Sequence, residues 1–173
     1  LNAVKTIEKI TKSMKMVASS KMNQDIKRLE RGKNFGRNAV DTIFKTDLYM
    51  QRKMASEQSE GTQLLVPITS DKGLCGSINS GIVRQVRDYV KGDLSRYTLF
   101  SLGEKGANAL RRPYADIYKE SITDLTYPIN YSLSLAIADK IGRIGANKDS
   151  IVLFYNEFVN AVTFQTKRME LMG

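Results

Sequence analysis

The sequence predicts an α/β protein: a small, mostly parallel sheet with flanking helices, joined to a long N-terminal helix that pairs as a coiled coil. Three observations predict it. Residues 1–31 contain no Gly and no Pro, and their apolar residues recur at spacings of three and four. Between residues 63 and 173, short β-rich runs alternate with helical patterns, as a parallel sheet with crossover helices requires. Of the net charge of +9, thirteen Lys/Arg against five Asp/Glu fall in residues 1–55, so the basic character belongs to the helical part and the remainder is nearly neutral.

Val4, Ile7, Ile10, Met14, Val17, Ala18, Met22 and Leu29 form one stripe on a helix of residues 1–31, which at ~1.5 Å per residue is roughly 46 Å long. Lys5, Lys9, Lys12, Lys15 and Lys27 stand outside that stripe. Gly32 and Gly36 weaken the helix, and Val40, Ile43, Phe44 and Leu48 resume it, bent or broken, to about Met54. Residues 55–62, ASEQSEGT, have turn composition and read as a linker between an arm of residues 1–54 and an α/β domain of residues 63–173.

Residues 63–70, QLLVPITS, read as a strand buried on both faces, in which Pro67 implies a bulge or pairing mainly on one side. Asp71 to Ser77 is a tight turn, and Ile78, Ile82, Val83, Val86 and Val90 mark a helix ending near Gly92. A strand is expected at 97–102, a short helix at 103–112 stopped by Pro113, and a short strand at 115–118. A helix at 128–144, a turn at 145–149, a strand at 150–154 and a hairpin partner at 161–169 complete the Rossmann-like pattern.

The chemistry is restricted by what is absent. There is no histidine, the commonest general base and metal ligand, and one cysteine, Cys75, builds neither a disulfide nor a zinc site. No run of about 18 apolar residues exists to span a membrane, the first 25 residues hold no continuous apolar segment of a secretory signal, and no Arg precedes Arg28, as a transit peptide would require. The turn Asp71-Lys72-Gly73-Leu74-Cys75-Gly76 feeds a helix N-terminus, a place where phosphate can bind, yet it matches neither the G-x-G-x-x-G nor the G-x-x-x-x-G-K-[ST] spacing. The simpler reading is that its glycines permit a tight turn and close packing; a reactive Cys75 would draw on Lys72 as a nearby cation, and a half-buried packing cysteine is the simpler reading there too. No cofactor or metal is expected.

The lysine face admits two readings. A charged face opposite an apolar stripe is usually a solvated one. Here Met16 projects among the lysines, where a polar residue belongs, which suggests a contact surface toward an acidic partner. Nucleic acid is the rival partner, but residues 1–26 have no Arg for bidentate guanine contacts and the arm has no aromatic platform before Phe35.

The run Ile10-Thr11-Lys12-Ser13-Met14-Lys15-Met16-Val17-Ala18-Ser19-Ser20-Lys21-Met22, followed by Ser70-Asp71-Lys72-Gly73-Leu74-Cys75-Gly76, resembles the γ subunit of F-type rotary ATP synthases, and the interval between the motifs is similar to mitochondrial members. The resemblance covers the whole chain. It implies a non-catalytic central-stalk rotor on the matrix side of the mitochondrial inner membrane. Its long helix would sit in the α3β3 catalytic head, and its α/β domain would meet the c-ring and a small stalk subunit. It implies partner contacts at Lys9, Lys12, Met14, Lys15, Met16 and Lys21, and a family signature at the 71–76 turn without a nucleotide site. The family's C-terminal helix, which coils against the first, has no counterpart before Gly173, and a few N-terminal residues are also without one. That helix, on a longer chain or another chain, is the expected partner of the seam Ile7, Ile10, Met14 and Val17. The alternatives are a nucleotide-binding α/β enzyme using the 71–77 turn and a basic-helix nucleic-acid-binding module.

Overall fold

The computed structural model describes residues 2–47, 49–51, 61–73 and 75–172. The chain divides into two units, Leu1–Gln51 and Arg52–Gly173. Residues 52–60, which include most of the expected linker, and Leu48 and Leu74 lie outside the described residues.

The first unit is built on α1, Asn2–Phe44. It runs through Gly32 and Gly36, where a Cβ would meet open space. Each glycine weakens a helix by ~1 kcal/mol relative to Ala and neither ends this one. The helix stops instead at a turn over Lys45 and Thr46. The Thr46 hydroxyl donates to the Ile43 carbonyl at 2.7 Å and accepts from the Tyr49 amide at 3.4 Å, taking over bonds that the helix ladder would have made. Phe44 and Tyr49 stack across this turn, ring centroids 4.7 Å apart. The helix expected to run on, bent or broken, to about Met54 is thus interrupted at a threonine turn.

The second unit is a five-stranded sheet of order β3-β2-β1-β4-β5. Its strands are β1 (Gln63–Pro67), β2 (Tyr97–Leu102), β3 (Tyr118–Ile122), β4 (Ser150–Asn160) and β5 (Thr163–Met172). β1 to β4 run parallel, and β5 closes one edge as the antiparallel hairpin partner of β4. β1 is central and its apolar run is buried on both faces. Its ladder with β4 runs to Pro67, whereas the register with β2 lapses after Leu65 and returns only as a bridge from Ile68 to Leu102. The prolyl nitrogen, which cannot donate, thus sits in the gap of one ladder.

On one face Leu65, Leu99, Val152 and Phe154 pack under Ile82, Val83 and Val86 of α2 (Ile78–Tyr89) and Leu110 of α3 (Glu104–Leu110). On the other, Leu64, Val66, Phe100, Leu102 and Ile151 meet Ile137, Ile141 and Ile144 of α4 (Tyr131–Gly145). Alternate strand residues serve opposite cores, as the pleat demands.

Among the boundaries that differ from expectation, three have a clear local cause. The short strand expected at 115–118 lies at Tyr118–Ile122, after a run of turns. It is an edge strand of sequence YKESI, and such strands carry charge where central ones carry Val or Ile. α4 starts at Tyr131 and not at Pro128, because the Asn130 side chain caps it, accepting from the Leu133 amide at 2.8 Å. β4 continues past Phe154, where its ladder with β1 ends, to Asn160, paired there with β5.

Candidate functional site

Two features carry the candidate chemistry: the faces of α1 and the turn after β1. An α-helix turns each residue by about 100°, so Ile7, Ile10, Met14 and Val17 fall within roughly 80° of arc. All four are exposed, Ile10 to 54%. On the opposite side Lys5, Lys9, Lys12 and Met16 fall within about 60° of each other, and Lys15 lies about 60° further round. Met16 is 69% exposed among these exposed lysines. Lys21 does not join them. The same geometry turns it onto the seam side, at about the angle midway along the Ile7–Val17 arc. Met14 likewise belongs to the seam. The lysine face is therefore Lys5, Lys9, Lys12 and Lys15 around Met16.

The turn after β1 is knit internally. Asp71 is only 6% exposed, and its carboxylate accepts from the Glu104 amide at 2.9 Å and from the Leu125 amide at 3.1 Å. It thereby holds the start of α3 and the loop after β3. The Ser70 amide donates to Asn79 Oδ1 at 3.0 Å, Asn79 Nδ2 donates back to Ser70 Oγ at 2.9 Å, and Ser70 Oγ donates to the Lys72 carbonyl at 2.7 Å. The Cys75 thiol, half-buried, points at the Gly73 carbonyl at 3.1 Å. Gly76 takes φ +60° with open space around it, and Gly73 has an ordinary φ and an ordinary contact with Lys105. The turn needs one glycine for its conformation, Gly76. Lys72 is exposed. The Asp71 carboxylate and the Ser70 and Asn79 side chains are bonded within the fold, and those bonds give the turn an architectural role.

Two further clamps carried no motif. Thr69 Oγ1 donates to the Leu102 carbonyl at 2.9 Å and accepts from the Gly106 amide at 2.8 Å. Gly103 lies so close at φ +89° that a Cβ would stand 2.1 Å from the Thr69 carbonyl oxygen. Asp149, just before β4, accepts from the Thr62 amide at 2.7 Å and the Thr62 hydroxyl at 3.0 Å, and its own amide donates to the Thr62 carbonyl at 2.9 Å. Those bonds, the amide first, hold the Asp149 carboxyl below its usual range. The signal available in the sequence was only a polar turn before a strand.

Among the described residues no group of three His, Cys, Asp or Glu could hold a metal, and no helix is long and apolar enough to cross a membrane.

The family model described as ATP synthase matches residues 1–173. The ATP synthase gamma chain of Rickettsia bellii (strain RML369-C) is 30% identical over 99% of this chain and 64% of its own length. The mitochondrial ATP synthase subunit gamma of Drosophila melanogaster is 28% identical over 100% of this chain and 57% of its own. This chain thus spans about three fifths of the curated relatives it matches. Among solved structures, a chain of the central stalk and c-ring of the Tetrahymena thermophila mitochondrial ATP synthase superposes with a TM-score of 0.80 at 41% identity, covering 94% of this chain and 72% of that one.

Proposed function

The chain belongs to the ATP synthase gamma-chain family, and from that premise we propose that it is a central-stalk rotor subunit of an F-type ATP synthase, coupling proton-driven rotation of a c-ring to ATP synthesis in the β subunits of an α3β3 head. The observation that carries the reading is that α1 presents two exposed contact faces, an apolar seam and a lysine face holding Met16. A lone soluble helix of 43 residues has use for neither. A rotor has use for both. The seam packs against a second helix to make a stiff shaft, and the lysine face slides past acidic surfaces of the head.

The subunit performs no bond chemistry in this reading. Exposed ion pairs are worth ~0.2–1 kcal/mol each, so Lys9, Lys12 and Lys15 can let go of one β subunit and meet the next. A buried permanent pair would favour one angle and stall the others. Charge guides the shaft and packed apolar side chains bear the torque. The α/β unit, with its signature turn locked by Asp71, supplies a firm foot for a small stalk subunit and the c-ring. The place of action is the matrix side of the mitochondrial inner membrane, as the mitochondrial relatives suggest.

The test is co-purification from membranes of cells that make this chain. The expected result is recovery with an ATP-hydrolysing ring. Recovery without such a ring, together with nucleotide or DNA binding by the chain alone, would overturn the proposal.

A further inference from the structure

The seam of α1 changes character along its length. Ile7, Ile10, Met14 and Val17 follow steps of three, four and three. The same alternation carried onward reaches Lys21, Gln24 and Arg28. Arg28 Nη1 bonds Asp25 Oδ1 at 2.7 Å, with both side chains more than half exposed. Asp25 lies on the same side of the helix, within about 60° of Arg28. Beside this polar group the apolar stripe persists through Ala18, Met22 and Leu29, so a partner lying along the stripe cannot avoid it.

We propose that the helix packed on α1 carries a carboxylate facing Lys21 and Arg28, and that this polar layer fixes the register between the two helices. The inference rests on the rotor reading for the existence of a helical partner and adds that partner's chemistry and its alignment. Lys21, Asp25 and Arg28 sum to +1, so one carboxylate completes the layer. An apolar partner at this level would bury Lys21 unpaired, which is strongly unfavourable. A second copy of the chain is a poor occupant, because residues 1–55 carry thirteen Lys/Arg against five Asp/Glu and would face their like. An apolar seam alone tolerates sliding by a heptad. A polar layer does not, since a slid partner would press its carboxylate against Val17 or Met14. A shaft that carries torque needs one alignment.

The test is zero-length carbodiimide cross-linking, which joins an amine to a carboxylate only at bonding distance, on membranes of cells making this chain, read by mass spectrometry. It is done with the native chain and with Asp25→Asn, which removes the carboxylate four residues from Lys21. The expected result is that Lys21 in the Asp25→Asn chain still links to one carboxylate in a helical segment, and that Lys21→Met abolishes the link. No Lys21 link in the Asp25→Asn chain, a link to a second copy, or links spread over several carboxylates would overturn the layer. The rotor reading is read separately, from links of Lys9, Lys12 and Lys15 to the catalytic head. A Lys21 link to a helix without any head links keeps the layer and sinks the rotor; head links without a Lys21 link do the reverse.

Discussion

Replacing Asp71 by Ala separates an architectural signature turn from a ligand-binding one. The Asp71 carboxylate is buried and holds two amides, those of Glu104 and Leu125, from segments 33 and 54 residues away in sequence. A hydrogen bond to a charged group contributes ~1.5–3 kcal/mol. The two bonds share one carboxylate and are not additive, so a loss of about 3 kcal/mol is expected. For a unit of this size that is a fall of roughly 10 °C in the unfolding midpoint. Asp71→Asn should recover only part of it, since its amide nitrogen would face one of the two donors. The assay is thermal unfolding of the chain by near-ultraviolet circular dichroism. Seven of the eight tyrosines lie beyond residue 52, so the signal reports the α/β unit. A midpoint within ~0.5 kcal/mol of the native chain would refute the architectural argument. So would a phosphate or nucleotide affinity that Asp71→Ala removes.

Four other outcomes follow from the same geometry. Ile10→Ala, in the assembled complex, should destabilise the seam by ~2–5 kcal/mol, and no change in complex stability would mean that Ile10 stays exposed there. Lys9→Ala, Lys12→Ala or Lys15→Ala alone should lower coupled ATP synthesis slightly and the triple change more; side-by-side synthesis and hydrolysis rates unchanged in the triple variant would leave the lysines a merely solvated face. Gly103→Ala should cost at least ~3 kcal/mol, since its φ of +89° and the 2.1 Å approach to the Thr69 oxygen exclude a Cβ, and a cost under ~1 kcal/mol in urea unfolding would contradict that packing. Hydrogen bonds from Thr62 depress the folded Asp149 carboxyl, so its stabilising effect is present above the ordinary value of 3.8 and is lost only as pH falls through the lower folded value; a Thr62 amide resonance that titrates with a midpoint at or above 3.8 would overturn it.

The sequence made long-range organisation legible and local clamps illegible, for physical reasons. Periodicity is a property of many residues at once, so the α1 stripe and the alternation of strands with helices survive the noise of individual side chains. The edge strand Tyr118–Ile122 lacks that redundancy, because half its surface faces water and its residues need not be apolar. The end of α1 falls at a turn closed by the Thr46 hydroxyl, a single polar side chain that the helical period does not mark, while Gly32 and Gly36 only weaken the helix. The resemblance marked the 71–76 turn as important without giving its reason. Asp71 reaches across to Glu104 and Leu125, and a contact between residues so far apart in sequence leaves no trace in spacing. The same holds for Asp149 and Thr62. Lys21 shows the opposite case. The resemblance implies it as a partner contact together with Lys9, Lys12 and Lys15, while the helical angle alone places it on the seam side.

A rotor subunit must turn within its complex. Cys75 is the sole cysteine and is only half-buried, so a thiol-reactive probe can be fixed to the α/β unit at that point. With the catalytic head of the purified complex held to a surface and ATP supplied, the probe should rotate in one direction, with pauses matching the threefold head. A probe that stays still while the same complexes hydrolyse ATP would contradict it.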